Sequence, residues 1–311
     1  MINIGFVDDN VMIRFTLKQA QVFVSVAKFG SVSRAAEALA LSQSAASTAL
    51  SELEKIYGCK LFDRSGKRLY INGLGELLMP KALVLLDQAA SVEHLLSAKS
   101  DVGLIKVAAS ITIGSYHAPS IAAAYMKHYP EASIVLNIRN TDAILRDLLS
   151  FELDLGLIEA AVQHPDLSLE PWLHDYLVIF AAPDHPLASA QTISAASIAE
   201  HAWVLREPGS GTRITFERAL ERRLGRVPSL HVPLALDQNE AIKQAVAAGI
   251  GLGCMSSLAL TDELDRGRLV PLTVTGLDLR RDFSLVWHRE KFLTRGMQAF
   301  LSLCRARAEG H

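Results

Sequence analysis

The chain has 311 residues, half of them hydrophobic, and a formal charge of −2. That length suggests two or three compact units, and no run of about 18 apolar residues marks a membrane span. Cys59, Cys254 and Cys304 are far apart and no CxxC spacing occurs, so neither a disulfide framework nor a zinc site is indicated, and a reduced cytoplasm is the expected compartment.

The first eleven residues, MINIGFVDDNV, lack a basic segment followed by a long apolar core. They read as an N-terminal extension and not as a secretory signal. From Leu17, apolar residues at Ala20, Phe23, Val24, Val26 and Ala27 predict a helix ended by Gly30. Ser33 is the expected cap of a second helix, Arg34 to Leu39. Ser42 or Gln43 opens a third, reaching about Tyr57. Ala46, Ala49, Leu50 and Leu53 face inward on it, leaving Gln43, Ser44, Ser47, Thr48 and Ser51 outside. Two short helices joined by a turn, the second starting with small polar donors, describe a helix-turn-helix. LFDRSGKRLYI follows, a two-stranded wing with Arg64, Lys67 and Arg68 at its tip. Such cations reach phosphates or a minor groove. Charge distribution agrees: Met12 to Asn72 holds nine bases against four acids, +5, while the chain as a whole is acidic. An ordinary helical subdomain with a solvated basic loop is the plainer alternative.

Phe23, Ala27, Gly30-Ser31, Ala35-Ala36, Leu39, Ser42-Gln43-Ser44, Ser47, Leu53-Glu54, Gly58, Leu61-Phe62 and Arg64 together resemble the N-terminal domain of the LysR-type transcriptional regulators. The resemblance implies that Ser33, Ser42, Gln43, Ser44, Ser47, Thr48, Arg64, Lys67 and Arg68 form the surface for double-stranded DNA. Many members carry Arg or Lys where Thr48 stands, so the operator sequence stays open.

Asn72 caps a long helix to about Ser97. Its apolar face (Leu77, Leu78, Ala82, Leu85, Leu86, Ala89, Val92, Leu95, Leu96) needs a partner. The resemblance implies a linker helix paired antiparallel in a homodimer, two dimers forming a tetramer; packing on the chain's own C-terminal part is the alternative. From Asp101 strands and helices alternate, which predicts open α/β sheets with a ligand crevice at the strand ends. One helix is expected over IGSYHAPSIAAAYMKHY. Thr141 and Asn239 are expected caps, Arg213 to Leu224 a helix, Leu258 to Arg266 another, and Tyr176 to Pro183 the crossing into a second lobe. The predicted organisation is an extension (1–11), a winged helix-turn-helix (12–72), a linker helix (73–100) and an effector domain (101–311). Its lobes span about 101–175 with 276–311, and about 176–275. The fold class is α+β multidomain, the effector part resembling periplasmic binding proteins.

Four strand-to-helix junctions are candidate ligand positions: Ser110 to Thr112, Asn140-Thr141, Arg206 to Thr212, and Asp237 to Asn239. Hydroxyls and amides at converging helix starts favour an oxyanion. The predicted effector set is Ser110, Thr112, Asn140, Thr141, Arg206, Gly209, Ser210 and Thr212, with plain helix capping the alternative at each. AASITIGSYHAP and REPGSGTR look like the branch regulating carbon-fixation and sulfur-assimilation operons. The histidines show no metal-ligand spacing, Ser210 lacks the G-x-S-x-G flanks of a nucleophile elbow, and GSGT lacks the P-loop lysine. No metal, cofactor or catalysis is therefore expected. The expected function is DNA binding modulated by a small anionic or polar effector. The rival is a small-molecule-binding protein or enzyme on the same α/β body, without regulatory DNA binding.

Overall fold

The computed structural model describes residues 13–66, 68–97, 102–159, 162–226 and 229–309. The N-terminal extension and Lys67 lie outside them. The chain divides into two units at Ser97/Ala98.

In the first unit, helix α1 (Leu17–Phe29) opens on a capping box. Thr16 accepts from the Gln19 amide and the Gln19 side chain from the Thr16 amide. Gly30 ends it at φ +62, a left-handed conformation suited to glycine. The inward stripe includes Val22, fully buried, whereas Leu17 is exposed. The cap of α2 (Val32–Ala38) is Ser31, not Ser33. Leaving Gly30, the chain extends at Ser31, whose Oγ accepts from the Arg34 amide. Ser33 falls inside the first turn and is exposed. Ser42 caps α3 (Gln43–Tyr57) through the Ala45 amide. Strands β1 (Phe62–Ser65) and β2 (Arg68–Ile71) form an antiparallel wing. Its root is fixed twice: Leu69 donates to the Gly30 carbonyl, and the buried Glu54 carboxylate accepts from the Leu61 amide and pairs with Lys60. Asn72 accepts from the Gly75 amide at the start of α4 (Gly73–Ser97). Gly75 is required there because a Cβ would stand 2.5 Å from the Leu61 carbonyl oxygen. Ala82 and Leu78 close a core of Val22, Phe23, Val26, Ala46, Leu50 and Leu53. Leu77, Leu85, Val92 and Leu96 of α4 remain exposed.

The second unit has two lobes sharing a sheet. Lobe 1 holds β3 (Leu104–Ala109), α5 (Ile111–Tyr116), α6 (Ala118–His128), β4 (Ser133–Ile138), α7 (Thr141–Leu149) and β5 (Leu155–Ile158). The single helix expected over 113–129 is two helices broken at His117. Pro119, two residues on, has no N–H to continue α5 and suits a first turn. The cap of α7 is Asn140, whose Oδ1 accepts from the Ala143 amide; Thr141 is the first helical residue.

Strand β6 (Leu167–Ala181) crosses between lobes. Sequence reading placed only its second half, from Tyr176, because Ser168, Glu170 and Pro171 mask the first half's apolar pattern. Lobe 2 adds α8 (Ala195–Ala199), β7 (Ala202–Arg206), α9 (Gly211–Leu224), β8 (His231–Leu236), α10 (Asn239–Ala247) and β9 (Leu252–Ser256). Gln238, not Asn239, occupies the cap position of α10, and it makes no side-chain cap bond. The helix expected over 258–266 is a short 3-10 turn, Ser257–Ala259, and α11 (Thr261–Asp265). Strand β10 (Val270–Leu272) follows, then β11 (Arg280–His288), which returns to lobe 1, and α12 (Arg295–Glu309). Strand order is β4-β3-β5-β11-β6-β9-β7-β8, with β10 on β6. β6 pairs with β11 from Leu167 to Tyr176 and with β9 from Leu177 to Phe180. The pair β6/β11 is therefore the hinge. Separate cores lie around Tyr125, Trp172, Phe283 and Phe300 in lobe 1, and around Trp203, Phe216 and Leu220 in lobe 2.

Candidate DNA-binding face and ligand cleft

On α3 the inward side chains are Ala46, Ala49, Leu50 and Leu53. Gln43, Ser44, Ser47, Thr48 and Ser51 are exposed. Ser42 is partly committed, since its Oγ caps the helix and also meets Ser44 Oγ at 3.0 Å. The α3 N-terminus thus offers hydroxyls, an amide side chain and the positive end of a helix dipole. Arg64 and Arg68 flank the wing turn at Gly66 and are exposed. Ser33 and Arg34 are exposed on α2, with the Arg34 guanidinium 5.3 Å over the Phe29 ring.

In the second unit the predicted ligand residues come together between the lobes. Ser110, Thr112, Thr141, Arg206, Ser210 and Thr212 are all buried. Ser110 ends β3 and precedes α5; Thr141 begins α7; Ser210 is the cap residue of α9. The lobes approach so closely that a Cβ on Gly211 would lie 2.8 Å from Thr141 Oγ1 and 3.1 Å from Glu159 Cβ. Among the described residues, Thr141 Oγ1 and Ser210 Oγ have no hydrogen-bond partner, and Ser110 Oγ has at most the Glu159 carboxylate beside it. Buried hydroxyls left this way are costly and call for a partner.

Several predicted residues are already engaged. Asn140 caps α7 and its Nδ2 donates to Glu207 Oε1 at 3.2 Å across the lobes. Arg206 gives a bidentate pair to Glu207, 2.8 and 2.9 Å. Gly209 contributes its carbonyl, which accepts from the Asp142 amide.

At the centre stands a group sequence reading missed. Glu159, at the end of β5, accepts from the Thr112 amide (2.6 Å), from Thr212 Oγ1 (3.1 Å) and from Arg281 Nη1 (2.9 Å). Arg281 also donates from Nε to Asp175 (2.7 Å), which in turn accepts from Ser256 Oγ (2.8 Å). Every member is buried. Burial pushes the Glu159 carboxyl up, but the Arg281 guanidinium, Ser110, Thr112 and the charge of Arg206 outweigh it. The carboxyl is held below the usual carboxylate range. The signal in the sequence was a carboxylate directly after the apolar run LGLI, and an arginine just before DFSLVWH. Neither is marked out by its local pattern; the topology sets β5 beside β11 and brings them together.

Among the described residues, no three His, Cys, Asp or Glu are placed to hold a metal ion, and no helix is long and apolar enough to cross a membrane.

Residues 17–76 match the bacterial regulatory helix-turn-helix protein, lysR family, and residues 98–309 the LysR substrate binding domain. The chain is 41% identical over 289 residues to the uncharacterized HTH-type transcriptional regulator YeiE of Escherichia coli K12, covering 93% of this chain and 97% of that protein. A RuBisCO operon transcriptional regulator of Allochromatium vinosum is 34% identical, with 92% and 94% covered. A full-length OxyR variant from Pseudomonas aeruginosa shares the fold at a TM-score of 0.71 and 21% identity, covering 94% of this chain and 96% of that one. The regulatory domain of Synechocystis CcmR in complex with 2-PG superposes at 0.60 and 29% identity, covering 67% and 98%.

Proposed function

Since this chain belongs to the LysR family of DNA-binding transcriptional regulators, we propose that its DNA binding is set by a small anionic metabolite held between the lobes by Ser110, Thr141 and Ser210. The observation that carries this reading is the trio of buried hydroxyls without good partners, contributed by both lobes. Glu159 already fixes the Thr112 amide and the Thr212 hydroxyl, and the buried Arg206 is held by Glu207, which leaves the hydroxyls and backbone amides as the donors. Helix starts at α5, α7 and α9 add their dipoles. The solved relative that carries 2-PG supports a small-anion effector. Gln43, Ser44 and Ser47 are the groove-reading residues of this proposal, and Arg64 and Arg68 the phosphate anchors. The exposed leucines of α4 pair with a second copy, and dimers associate further into a tetramer in the cytoplasm.

A ligand bridging two lobes closes a hinge. In an oligomer, hinge angle alters the spacing of DNA-binding heads, so ligand and DNA affinities are reciprocally linked. A thermal-shift screen of sulfur oxyanions, phosphorylated sugars and small carboxylates finds the ligand, and calorimetry tests the site. One hydrogen bond to an anion is worth about 1.5–3 kcal/mol. Thr141→Ala and Ser210→Ala should each weaken binding about tenfold or more. Wild-type affinity in both variants removes the cage as the site.

A further inference from the structure

Outward from the cage, one face of α9 continues as a wall. Thr212 lies in the cage, and Thr215, Arg218 and Arg222 follow at three- and four-residue spacing. Ten residues carry this stripe about 15 Å along the helix. Across from it runs β11 with Arg280, Arg281, Asp282 and Ser284. Between them is a cavity of about 670 Å³, a size typical of small-molecule sites.

Four arginines line the cavity, with Glu221 and Asp282 as the lining acids. Arg281 is matched by Glu159 and Asp175. Asp282 is hydrogen-bonded to His174, 2.7 Å from its Nδ1. Arg280 forms a bidentate pair with Asp278, but its side chain is 84% exposed, so a stronger oxyanion can recruit it. Arg222 donates its Nε to the Arg218 carbonyl, at 3.3 Å, and shares the field of Asp278 with Arg280. A concentration of guanidinium forks around one hollow suits phosphate, which they engage bidentately.

We propose that this cavity is a second ligand site, separate from the hydroxyl cage, for a small molecule with more than one phosphate charge. Arg218 and Arg222 on α9 and Arg280 on β11 bind it. Its walls come from α9 of lobe 2 and from Val162, Leu169 and Ser284 of lobe 1, so an occupant bridges the hinge. Two ligands then act on one conformational equilibrium, each by its own differential affinity.

Pyrophosphate is the probe, titrated calorimetrically into the full chain with ionic strength held constant by sodium chloride. Wild type is expected to bind it. Arg218→Gln with Arg222→Gln should weaken binding by about tenfold or more, while Thr141→Ala with Ser210→Ala stays near wild type. Should the double arginine variant fold poorly, Arg280→Gln on the opposite wall carries the same expectation. The proposal is overturned by no binding to wild type or by undiminished binding in the arginine variants. Equal loss in the cage variants also overturns it, since that places pyrophosphate in the cage. A failed cage reading leaves these arginine results unaffected, so the two proposals fail separately.

Discussion

Glu159 shows how much one side chain's meaning depends on its neighbours. In the sequence it is an acid after a strand; in the fold it is the partner of a buried guanidinium and of two groups from the predicted ligand set. Breaking a buried pair leaves a charge uncompensated, although Asp175 still holds Arg281. Glu159→Gln should therefore destabilise the second unit by about 1.5–3 kcal/mol at neutral pH. The folded carboxyl's pKa is depressed. Its stabilising contribution is complete above the unfolded carboxylate range and is lost as pH falls through the lower folded value. Chemical denaturation of both proteins from neutral to acid pH should show the curves converging at the acid end. A gap that persists there, or none at neutral pH, contradicts the pairing. Ser33 teaches the same lesson at smaller cost: two serines could cap α2, and the left-handed turn at Gly30 selects Ser31.

At the scale of elements, the proposed DNA contacts are divided between the wing and α3. Arg68 stands on an exposed strand end, so Arg68→Ala should weaken binding to all duplexes alike. It should also make the salt dependence shallower by about one unit. Gln43→Ala, at the first turn of α3, should instead narrow the gap between specific and unrelated sequences. Competition binding at several salt concentrations separates the two; identical behaviour of both variants with wild type defeats the assignment. The long α4 carries a different burden. Leu77 and Leu96 are 75% and 79% exposed, more apolar surface than a lone helix normally presents. Leu85→Glu places a charge on this face, and light scattering should then show a smaller particle. An unchanged mass argues against α4 pairing. The sequence made both elements legible because their information is local: caps, helical spacing and a turn signal. The break between α5 and α6 was less legible, since Pro119 is equally at home in a first turn and at a kink.

For the molecule, closure of the lobes is the motion the proposed function requires, and Gly211 is one of the places where they meet closely. A Cβ there meets Thr141 Oγ1 and Glu159 from the opposite lobe. Gly211→Ala should act as a wedge, costing about 1–3 kcal/mol of overpacking strain in the closed form. The expected result is weaker ligand binding with the helix content unchanged, read by calorimetry and circular dichroism together; full ligand affinity would show that the contact yields without cost. The hinge itself was only half visible in the sequence. Patterns locate a strand by its own alternation. The switch of β6 from β11 to β9 at Tyr176/Leu177 is instead a property of its pairing with two strands that lie far downstream in the chain.

By itself the sequence determined the helix-turn-helix head, the long helix after it, and the alternation of strands and helices, and resemblance added the family. Each rests on contacts within a few turns, where side-chain spacing is the physical cause. It also singled out Ser110, Thr141 and Ser210, because helix starts that follow strands are recognisable locally. Only the tertiary structure decided that these hydroxyls gather between the lobes and that Asn140 and Arg206 are spoken for by Glu207. The same holds for the assembly of Glu159, Arg281 and Asp175 into one buried network. Apart from the adjacent Arg206–Glu207 pair, those pairings join residues 67 to 122 positions apart. Nothing in local propensity encodes them; strand order and hinge geometry do.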